Sequence, residues 1–194
     1  MWVKMPLAPA LKSCPMLTLT LFRHAKSSWA DPSLGDFDRP LAPRGEEAAP
    51  RMGAFLTERG LIPDLVLCSA SRRTRQTLSL AFKHLKSQPE ALFLDDLYHA
   101  TMPALTAFIR GAPLAAHHLM LVGHNPGLQA LALDLIGGGD PAGRRAIAHK
   151  FPSGAVAAMS CDAVNWAAIR SGAAYLTIFA TPKQLGDAAQ EDGS

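Results

Sequence analysis

Arg23-His24-Ala25-Lys26, which follows the apolar run Leu17–Phe22, is the stretch from which the fold can be predicted. An apolar run that stops abruptly at a histidine is typical of a buried strand whose carboxyl end presents an imidazole. A second stretch has the same form, because Leu121-Val122 leads into Gly123-His124-Asn125-Pro126-Gly127. In open α/β sheets, ligands bind at the carboxyl ends of the strands. We therefore expect both histidines to face one crevice.

A third predicted strand ends in an arginine-rich helix, Cys68-Ser69-Ala70-Ser71-Arg72-Arg73-Thr74-Arg75-Gln76-Thr77. Along the rest of the chain, short apolar runs alternate with segments of helical periodicity. This alternation predicts an α/β fold, specifically a three-layer α/β/α sandwich with a mostly parallel central sheet.

Composition limits the classes of function. The chain has 194 residues, 48% of them hydrophobic, which is enough to bury a core and too apolar for a disordered protein. A net charge of +3 is too small to indicate a nucleic-acid binder, and no apolar run is long enough to cross a membrane. Cys14, Cys68 and Cys161 fit neither a disulfide framework nor a metal-ligand spacing. We therefore expect free thiols and a cytoplasmic location.

One domain is expected over residues 16–185. Residues 1–15 contain three prolines, which interrupt any apolar run, so we interpret them as a disordered extension rather than a secretory signal, or as the result of start-codon choice with Met16 as the functional start. Residues 186–194 are small and polar and are predicted to be a flexible tail.

Several local features carry further expectations. Ala25–Arg44 lacks a helical period and is predicted to be a long loop, held by an ion pair between Arg39 and Asp38. A helix is predicted over Gly45–Arg59, with Pro50 in its first turn or at a kink.

Two expectations concern the C-terminal half. The run Gly137-Gly138-Gly139-Asp140 is predicted to stop a helix, and the segment from Arg144 to Lys150 to be a basic loop.

Histidines and arginines at one sheet edge suit phosphate chemistry. A neutral histidine can attack phosphorus and give a covalent intermediate that water later hydrolyses. Arg23 beside His24 suits this role, because a guanidinium binds phosphate oxygens and its charge keeps a neighbouring imidazole deprotonated. Arg73 and His124 would complete the pocket, and two helix N-termini would add positive potential.

The same residues resemble a known family. Arg23-His24, Ser69-x-x-x-Arg73-Thr74-x-x-Thr77 and Gly123-His124-Asn125, in this order, resemble the histidine phosphatase superfamily, which has the phosphoglycerate-mutase-like fold. Three further stretches resemble its SixA branch of phosphohistidine phosphatases: Arg23-His24-Ala25-Lys26-Ser27-Ser28-Trp29, Asp38-Arg39-Pro40-Leu41 and Lys150-Phe151-Pro152-Ser153-Gly154-Ala155. The likeness runs from about Leu17 to Leu185.

The resemblance implies roles for four residues. His24 would be the nucleophile, Arg23 and Arg73 would clamp the phosphate, and His124 would be the second histidine of the pocket. It implies no metal and no other cofactor.

This chain departs from the family at the position of the general acid. Many members with ester substrates carry a glutamate just after the third strand, where this chain has Asp95-Asp96-Leu97-Tyr98-His99-Ala100. Asp95, Asp96 and His99 are the candidate proton donors. An alkoxide leaving group needs a donor far more than the imidazole of phosphohistidine does, so the missing glutamate favours a P–N substrate.

Other residues near the motifs are open to two interpretations. Lys26 and Ser27 either bind the substrate phosphate or only satisfy the loop. Asn125 either binds ligand or caps the following helix. Gly123 is expected to allow a close backbone approach beside His124.

Two alternative sites are rejected. Cys68 is not followed by the arginine that a cysteine phosphatase needs, since Thr74 stands at that position. A zinc site built from His24, His124 and Asp95 or Asp96 would place the cation beside two arginines, which would repel it.

We therefore predict a metal-independent phosphatase with a phosphohistidine intermediate. The favoured substrate is phosphohistidine in a protein, such as a histidine phosphotransfer domain. One alternative is a general small-molecule phosphomonoesterase, and a mutase ranks lower because it needs a lid against water. An alternative of another class is a phosphate-reading binding module without turnover.

Overall fold

The computed structural model describes residues 16–85 and 88–191, and places seven strands in one sheet. The strands are β1 (Leu17–Arg23), β2 (Leu65–Ser69), β3 (Glu90–Leu94), β4 (His118–Gly123), β5 (Ile136–Gly139), β6 (Val156–Cys161) and β7 (Ala174–Ala180). The helices are α1 (Pro43–Glu58), α2 (Arg72–Ala81), α3 (Met102–Arg110), α4 (Gly127–Leu135), α5 (Pro141–His149) and α6 (Pro182–Glu191).

The sheet is mostly parallel, with the order β3-β2-β4-β1-β6-β7-β5. β6 runs antiparallel to both of its neighbours, and the other four pairings are parallel. The carboxyl ends of β2, β4 and β1 therefore lie side by side at one edge, where such sheets bind ligands.

Apolar side chains fill both faces of the sheet. Phe22 of β1 belongs to a cluster with α1 and α2, whereas Leu19 and Leu21 belong to a second cluster with α3, α4 and α5. Strand side chains alternate between faces, so one strand supplies both clusters. The predicted three-layer α/β fold is confirmed. Its helical core residues are Met52, Leu56, Leu78 and Ala81 on one face, and Leu105, Ile109, Leu128, Leu131, Leu135 and Ile147 on the other.

A long loop joins β1 to α1, over nearly the range that the sequence predicts. Backbone hydrogen bonds close its base. The Ser28 amide donates to the Pro40 carbonyl and the Ala42 amide to the Lys26 carbonyl, both over 2.8 Å. A single 3₁₀ turn, Asp36–Asp38, lies near the tip. The loop therefore presents a fixed turn beside the sheet edge.

One expectation for the C-terminal half is confirmed and the other is wrong. α4 ends at Leu135, just before the glycine run, and the glycines then form β5 and pair with β7, a strand that the sequence analysis does not predict. A Cβ at Gly137 would lie 2.1 Å from the Gly172 carbonyl oxygen, so close packing requires glycine there. The segment predicted to be a basic loop lies mostly in α5, whose first amides are capped by the Asp140 carboxylate.

Of the two alternatives for Pro50, the first-turn position is wrong, because Pro50 lies in the interior of α1, which begins at Pro43. The predicted tail begins inside α6, which extends to Glu191. Thr181 and Gln184 start that helix with reciprocal bonds, because the Thr181 amide donates to Gln184 Oε1 over 2.8 Å and the Gln184 amide to Thr181 Oγ1 over 3.4 Å.

The predicted extension over residues 1–15 lies outside the described residues, as do residues 192–194. None of the helices in the described ranges has the length and hydropathy that crossing a bilayer requires.

Candidate active site

The register of two neighbouring strands brings the two histidines together. Arg23 at the end of β1 is paired with Gly123 at the end of parallel β4, so His24 and His124 are the next residues of each strand. Their ring centroids lie 5.1 Å apart, and both residues are buried. The predicted pair of imidazoles at one sheet edge is therefore present as a structural unit.

His24 has one nitrogen fixed and one nitrogen available. Its Nδ1 lies 2.7 Å from the Ala25 carbonyl oxygen, which can only accept, so Nδ1 carries the hydrogen and Nε2 keeps its lone pair. Burial, together with the charges of Arg73 and Arg23, lowers the pKa of His24 to about 4 against the opposing bond to Ala25. The ring is thus neutral and nucleophilic at physiological pH.

Both ring nitrogens of His124 have partners. Nε2 lies 2.9 Å from Ser69 Oγ, and Nδ1 lies 3.4 Å from Arg73 Nη2. Since a guanidinium only donates, this contact favours the tautomer in which Nε2 carries the hydrogen. Burial first, and then His24 and Arg73, lower the pKa of His124 to about 2. His124 is therefore neutral and already hydrogen-bonded on both sides, unlike His24.

Arg73 enters the site from the first turn of α2. Its guanidinium is buried, and Nη2 donates to Asp36 Oδ2 over 2.9 Å while Nη1 donates to the Asp36 backbone carbonyl. The helix is coupled to β1 through Thr77, whose Oγ1 donates to the Arg73 carbonyl and accepts from the Ala25 amide. The spacing from Arg73 to Thr77 thus fixes the arginine relative to His24.

Arg23 is held by the segment that follows α5. Its Nη1 donates to the Phe151 carbonyl over 2.7 Å. Nη2 has no hydrogen-bond acceptor among the described residues. Burial and the charge of Arg73 lower the pKa of Arg23, which shows that the two guanidinium groups act on each other. Two cations that act on each other favour the binding of an anion at the site.

Asp36, on the 3₁₀ turn of the long loop, joins three donors at the mouth of this cluster. Tyr98 Oη donates to Oδ2 over 2.6 Å, Arg73 Nη2 over 2.9 Å and His99 Nε2 over 3.3 Å. These bonds, that from Tyr98 above all, hold the pKa of Asp36 well below its usual range. The loop is thereby anchored to α2 and to the segment after β3.

The likeness to known proteins agrees with this geometry. Residues 19–97 match the model of the histidine phosphatase superfamily (branch 1). An uncharacterised protein of Mycobacterium tuberculosis (strain ATCC 25618 / H37Rv) is 37% identical over 163 residues, which are 83% of this chain and 99% of the relative. The chain belongs to the histidine phosphatase superfamily. It is a phosphatase.

Solved structures of this superfamily have the same fold. The candidate phosphohistidine phosphatase SixA from Nakamurella multipartitia is 29% identical, with a TM-score of 0.74 over 86% of this chain and 96% of that one. A SixA from Agrobacterium tumefaciens, also described as a candidate phosphohistidine phosphatase, is 28% identical, with a TM-score of 0.72 over 86% and 98% of the two chains. The phosphatase described here is therefore SixA-like in sequence and fold.

The three candidate proton donors of this histidine phosphatase lie in different places. Asp95 and Asp96 are exposed in the 3₁₀ turn Asp95–Leu97, and neither side chain has a hydrogen bond within the described residues. His99 lies at the site, with its ring centroid 5.1 Å from that of His124. Its φ of 51° is rare for a residue with a side chain, and such conformations cluster at functional sites.

The predicted ligand contacts beside the histidines are less direct. Lys26 is exposed, and the Ser27 backbone forms a bridge with Leu41; no hydrogen bond from either side chain to the histidine cluster occurs in the described residues. Asn125 does not cap α4, since its Nδ2 donates to Gln129 Oε1 and to the Phe151 carbonyl. Phe151 thus accepts from both Asn125 and Arg23, which places Asn125 in the support of the arginine.

Sequence reasoning missed Asp36 and Tyr98. Asp36 lies in a loop without periodicity and was not distinguished from Asp38. The predicted pair between Arg39 and Asp38 is wrong, because Arg39 Nε lies 4.0 Å from Asp36 Oδ1 instead. The one sequence feature that points to Tyr98 as a site residue is its position between the candidate proton donors Asp96 and His99.

The predicted close approach at Gly123 is also wrong, since a Cβ there would meet side-chain atoms no nearer than 3.5 Å. It occurs at Gly127, where a Cβ would lie 2.1 Å from the Ala100 carbonyl oxygen. Gly127 therefore lets the segment with Tyr98 and His99 pack against the start of α4, over His124.

Two further observations bear on the rejected sites. Burial raises the pKa of the Cys68 thiol to about 12, so this cysteine is a poor nucleophile. Among the described residues, no group of three or more histidine, cysteine or acidic side chains is arranged to hold a metal ion.

Proposed function

We propose that this phosphatase hydrolyses phosphohistidine in proteins through a phosphorylated His24. The observation that carries the proposal is the state of His24: a neutral ring whose Nδ1–H is held by Ala25, with an available Nε2 and with the charges of Arg73 and Arg23 acting on the ring. This is the arrangement that attack on a phosphoryl group requires.

In the first step, His24 Nε2 forms a bond to phosphorus while the P–N bond of the substrate breaks. The substrate ring, protonated on its other nitrogen, takes the bonding electron pair and leaves as neutral imidazole. In the second step, a water oxygen bonds to phosphorus and the P–Nε2 bond breaks. His24 recovers its lone pair, and both hydrogens of the water remain on the phosphate product.

The Ala25 carbonyl serves the second step as well as the first. Phosphorylated His24 keeps a hydrogen on Nδ1 because the carbonyl accepts it, and the ring can therefore depart without a further proton. The ring of phosphorylated His24 is thus held in its cationic form, which is the reactive one.

Arg23, Arg73 and His124 would stabilise the transferring group. The two guanidinium groups provide charge for the equatorial oxygens, which a metal ion would otherwise supply, so we infer that the reaction needs no metal. Ser69 can donate as well as accept. His124 can therefore turn an Nδ1–H towards a phosphoryl oxygen once Arg73 binds the same anion.

A protein-bound P–N substrate is supported by two features. The exposed Asp95 and Asp96 lie outside the hydrogen-bond network of the site, so they are poor donors to an alkoxide, whereas imidazole needs none. The mouth is lined by side chains that are half exposed, Asp36 at 41% and His99 at 51%, and this leaves access for a residue on a protein surface. The SixA structures similar to this chain have names that describe such an activity.

A second candidate is the hydrolysis of small phosphomonoesters. The position of His99 favours it, because its ring lies beside His124 and its Nε2 carries a hydrogen towards Asp36. Such a group could protonate an ester oxygen.

The test compares phosphohistidine peptide with an aryl phosphate and a sugar phosphate as substrates, in protein treated with a chelator. We expect the peptide to be hydrolysed fastest and the chelator to leave the rate unchanged. His24→Ala should abolish turnover and the acid-labile label on the protein, whereas the exposed His84→Ala is the matched control. Equal rates on peptide and sugar phosphate would overturn the phosphohistidine assignment, and a labelled, active His24→Ala would overturn the nucleophile.

A further inference from the structure

The mouth of the site contains a carboxylate, that of Asp36, although a negative charge there disfavours the binding of a phosphate. Asp36 acts electrostatically on both His24 and His124, and its carboxylate and backbone carbonyl accept from the two Arg73 amino groups that would bind phosphate. A carboxylate so near a phosphoryl dianion repels it. The carboxylate therefore needs a use that outweighs this cost.

The two oxygens of Asp36 differ in their surroundings. Oδ2 accepts from Arg73, Tyr98 and His99, which fixes the side chain in place. Oδ1 accepts no hydrogen bond within the described part of the chain; Arg39 Nε is its ion-pair partner at 4.0 Å, which is beyond hydrogen-bond distance. Asp36 is thus an anchored carboxylate with one acceptor oxygen available.

We propose that Asp36 Oδ1 accepts a hydrogen bond from the imidazolium ring of phosphohistidine, and so makes the site selective for P–N over P–O substrates. The proposal rests on the proposed function and names the residue that would give its specificity.

The chemistry of the substrate ring explains the need. The imidazole ring of phosphohistidine leaves readily only when its second nitrogen carries a hydrogen, since the ring then leaves as neutral imidazole. His24 receives this support from the Ala25 carbonyl. Asp36 would give the same support to the substrate ring, more strongly because the acceptor is charged.

The charge of the leaving group explains why the carboxylate favours P–N over P–O substrates. A ring that is cationic gains from the carboxylate, and this gain offsets the repulsion between carboxylate and phosphoryl oxygens. Alkyl and aryl phosphates have no cation in the leaving group, so they meet the repulsion alone. Removing the charge should thus slow the hydrolysis of P–N substrates more than that of P–O substrates.

The test measures kcat/KM for a phosphohistidine peptide and for p-nitrophenyl phosphate. Asp36→Asn should lower the ratio of the peptide value to the aryl ester value about tenfold or more, the loss expected for a hydrogen bond to a charged group, because any effect through Arg73 is shared by both substrates. Asp38→Asn is the matched control, because it removes the same charge from the same turn at an exposed position. It should change neither value.

Other outcomes overturn the proposal in distinguishable ways. An equal loss on both substrates, together with weaker vanadate binding, would make Asp36 only a positioning residue for Arg73. No loss on the peptide would exclude the contact. A wild-type enzyme that cleaves the aryl ester and not the peptide would instead overturn the proposed function.

A second measurement needs only the wild-type protein, and it decides the matter if Asp36→Asn fails to fold. Phosphoimidazole is compared with its N-methyl derivative, which keeps the positive charge and lacks the N–H. We expect a KM about tenfold higher for the methylated compound. Equal KM values would overturn the hydrogen bond to Oδ1.

Discussion

Arg73 and Asp36 form an ion pair of 2.9 Å that joins a buried guanidinium of α2 to the long loop after β1. The pair compensates the charge of Arg73 when no phosphate is bound, and a phosphoryl group would compete for the same donor. Arg73 therefore links the geometry of the loop to the binding of the anion. The removal of the Arg73 side chain should therefore weaken the binding of anions.

Arg73→Ala should weaken vanadate binding by about 10²-fold, because two charge-assisted hydrogen bonds to the anion are lost. Inhibition of aryl phosphate hydrolysis by vanadate measures the effect. Arg72→Ala is the control, since Arg72 precedes Arg73 in the same helix turn and is exposed. Equal effects of the two substitutions would show that α2 contributes general positive charge instead of one specific contact.

His124→Ala should lower kcat by about 10²- to 10³-fold, as expected when a group that stabilises the transferring charge is removed. The phosphorylated enzyme should still form on His24, because His24 does not depend on His124 for its tautomer. Base-quenched protein, digested and mapped, locates the label. Label on His124 in the wild type would reverse the two roles.

The histidines of the site should also make stability depend on pH. Their pKa values in the folded state, about 4 for His24 and about 2 for His124, lie below the ordinary value of 6.5. Below pH 6.5 the unfolded chain takes up protons that the folded state refuses, so the free energy of unfolding falls as the pH drops. The fall is on the order of 1.4 kcal/mol per pH unit for each histidine, and for His24 it ends near pH 4.

Urea unfolding at pH 7, 6 and 5 measures this dependence. His24→Gln should have a shallower slope between these values, because it removes one of the two groups. An unchanged slope would mean that the folded state accepts the proton on His24, which would contradict its burial.

The central strands and the paired histidines could be predicted from the sequence because they depend on local periodicity. His24 and His124 each follow a run of buried residues, and parallel pairing of two such runs suffices to bring their ends together. Arg73 could be selected from three arginines because its helix position relative to Ser69 and Thr77 is fixed. These relations are short in sequence.

Asp36, Tyr98 and β5 could not be predicted because their positions depend on contacts that are distant in sequence. Asp36 reaches Tyr98 across 62 residues, through a loop without a repeating pattern. The glycines of β5 are required by the backbone of Gly172 and by the neighbouring strand, whereas glycine alone indicates a turn. Propensity therefore predicts only the end of a helix here and misses the strand that tertiary packing determines.

The close approach at Gly127 gives the last prediction. Gly127→Ala would bring its Cβ within 2.1 Å of the Ala100 carbonyl oxygen, so the segment with Tyr98 and His99 must move away from α4. We expect a loss of about 1–3 kcal/mol in the free energy of unfolding, together with lower kcat/KM, since both anchors of Asp36 shift. Gly123→Ala is the matched control, because its Cβ would meet only ordinary contacts of 3.5 Å or more. Urea unfolding and peptide hydrolysis of both variants provide the comparison. If Gly123→Ala proved the more damaging of the two, the contact between α4 and Ala100 would not be what places Tyr98 and His99 over His124.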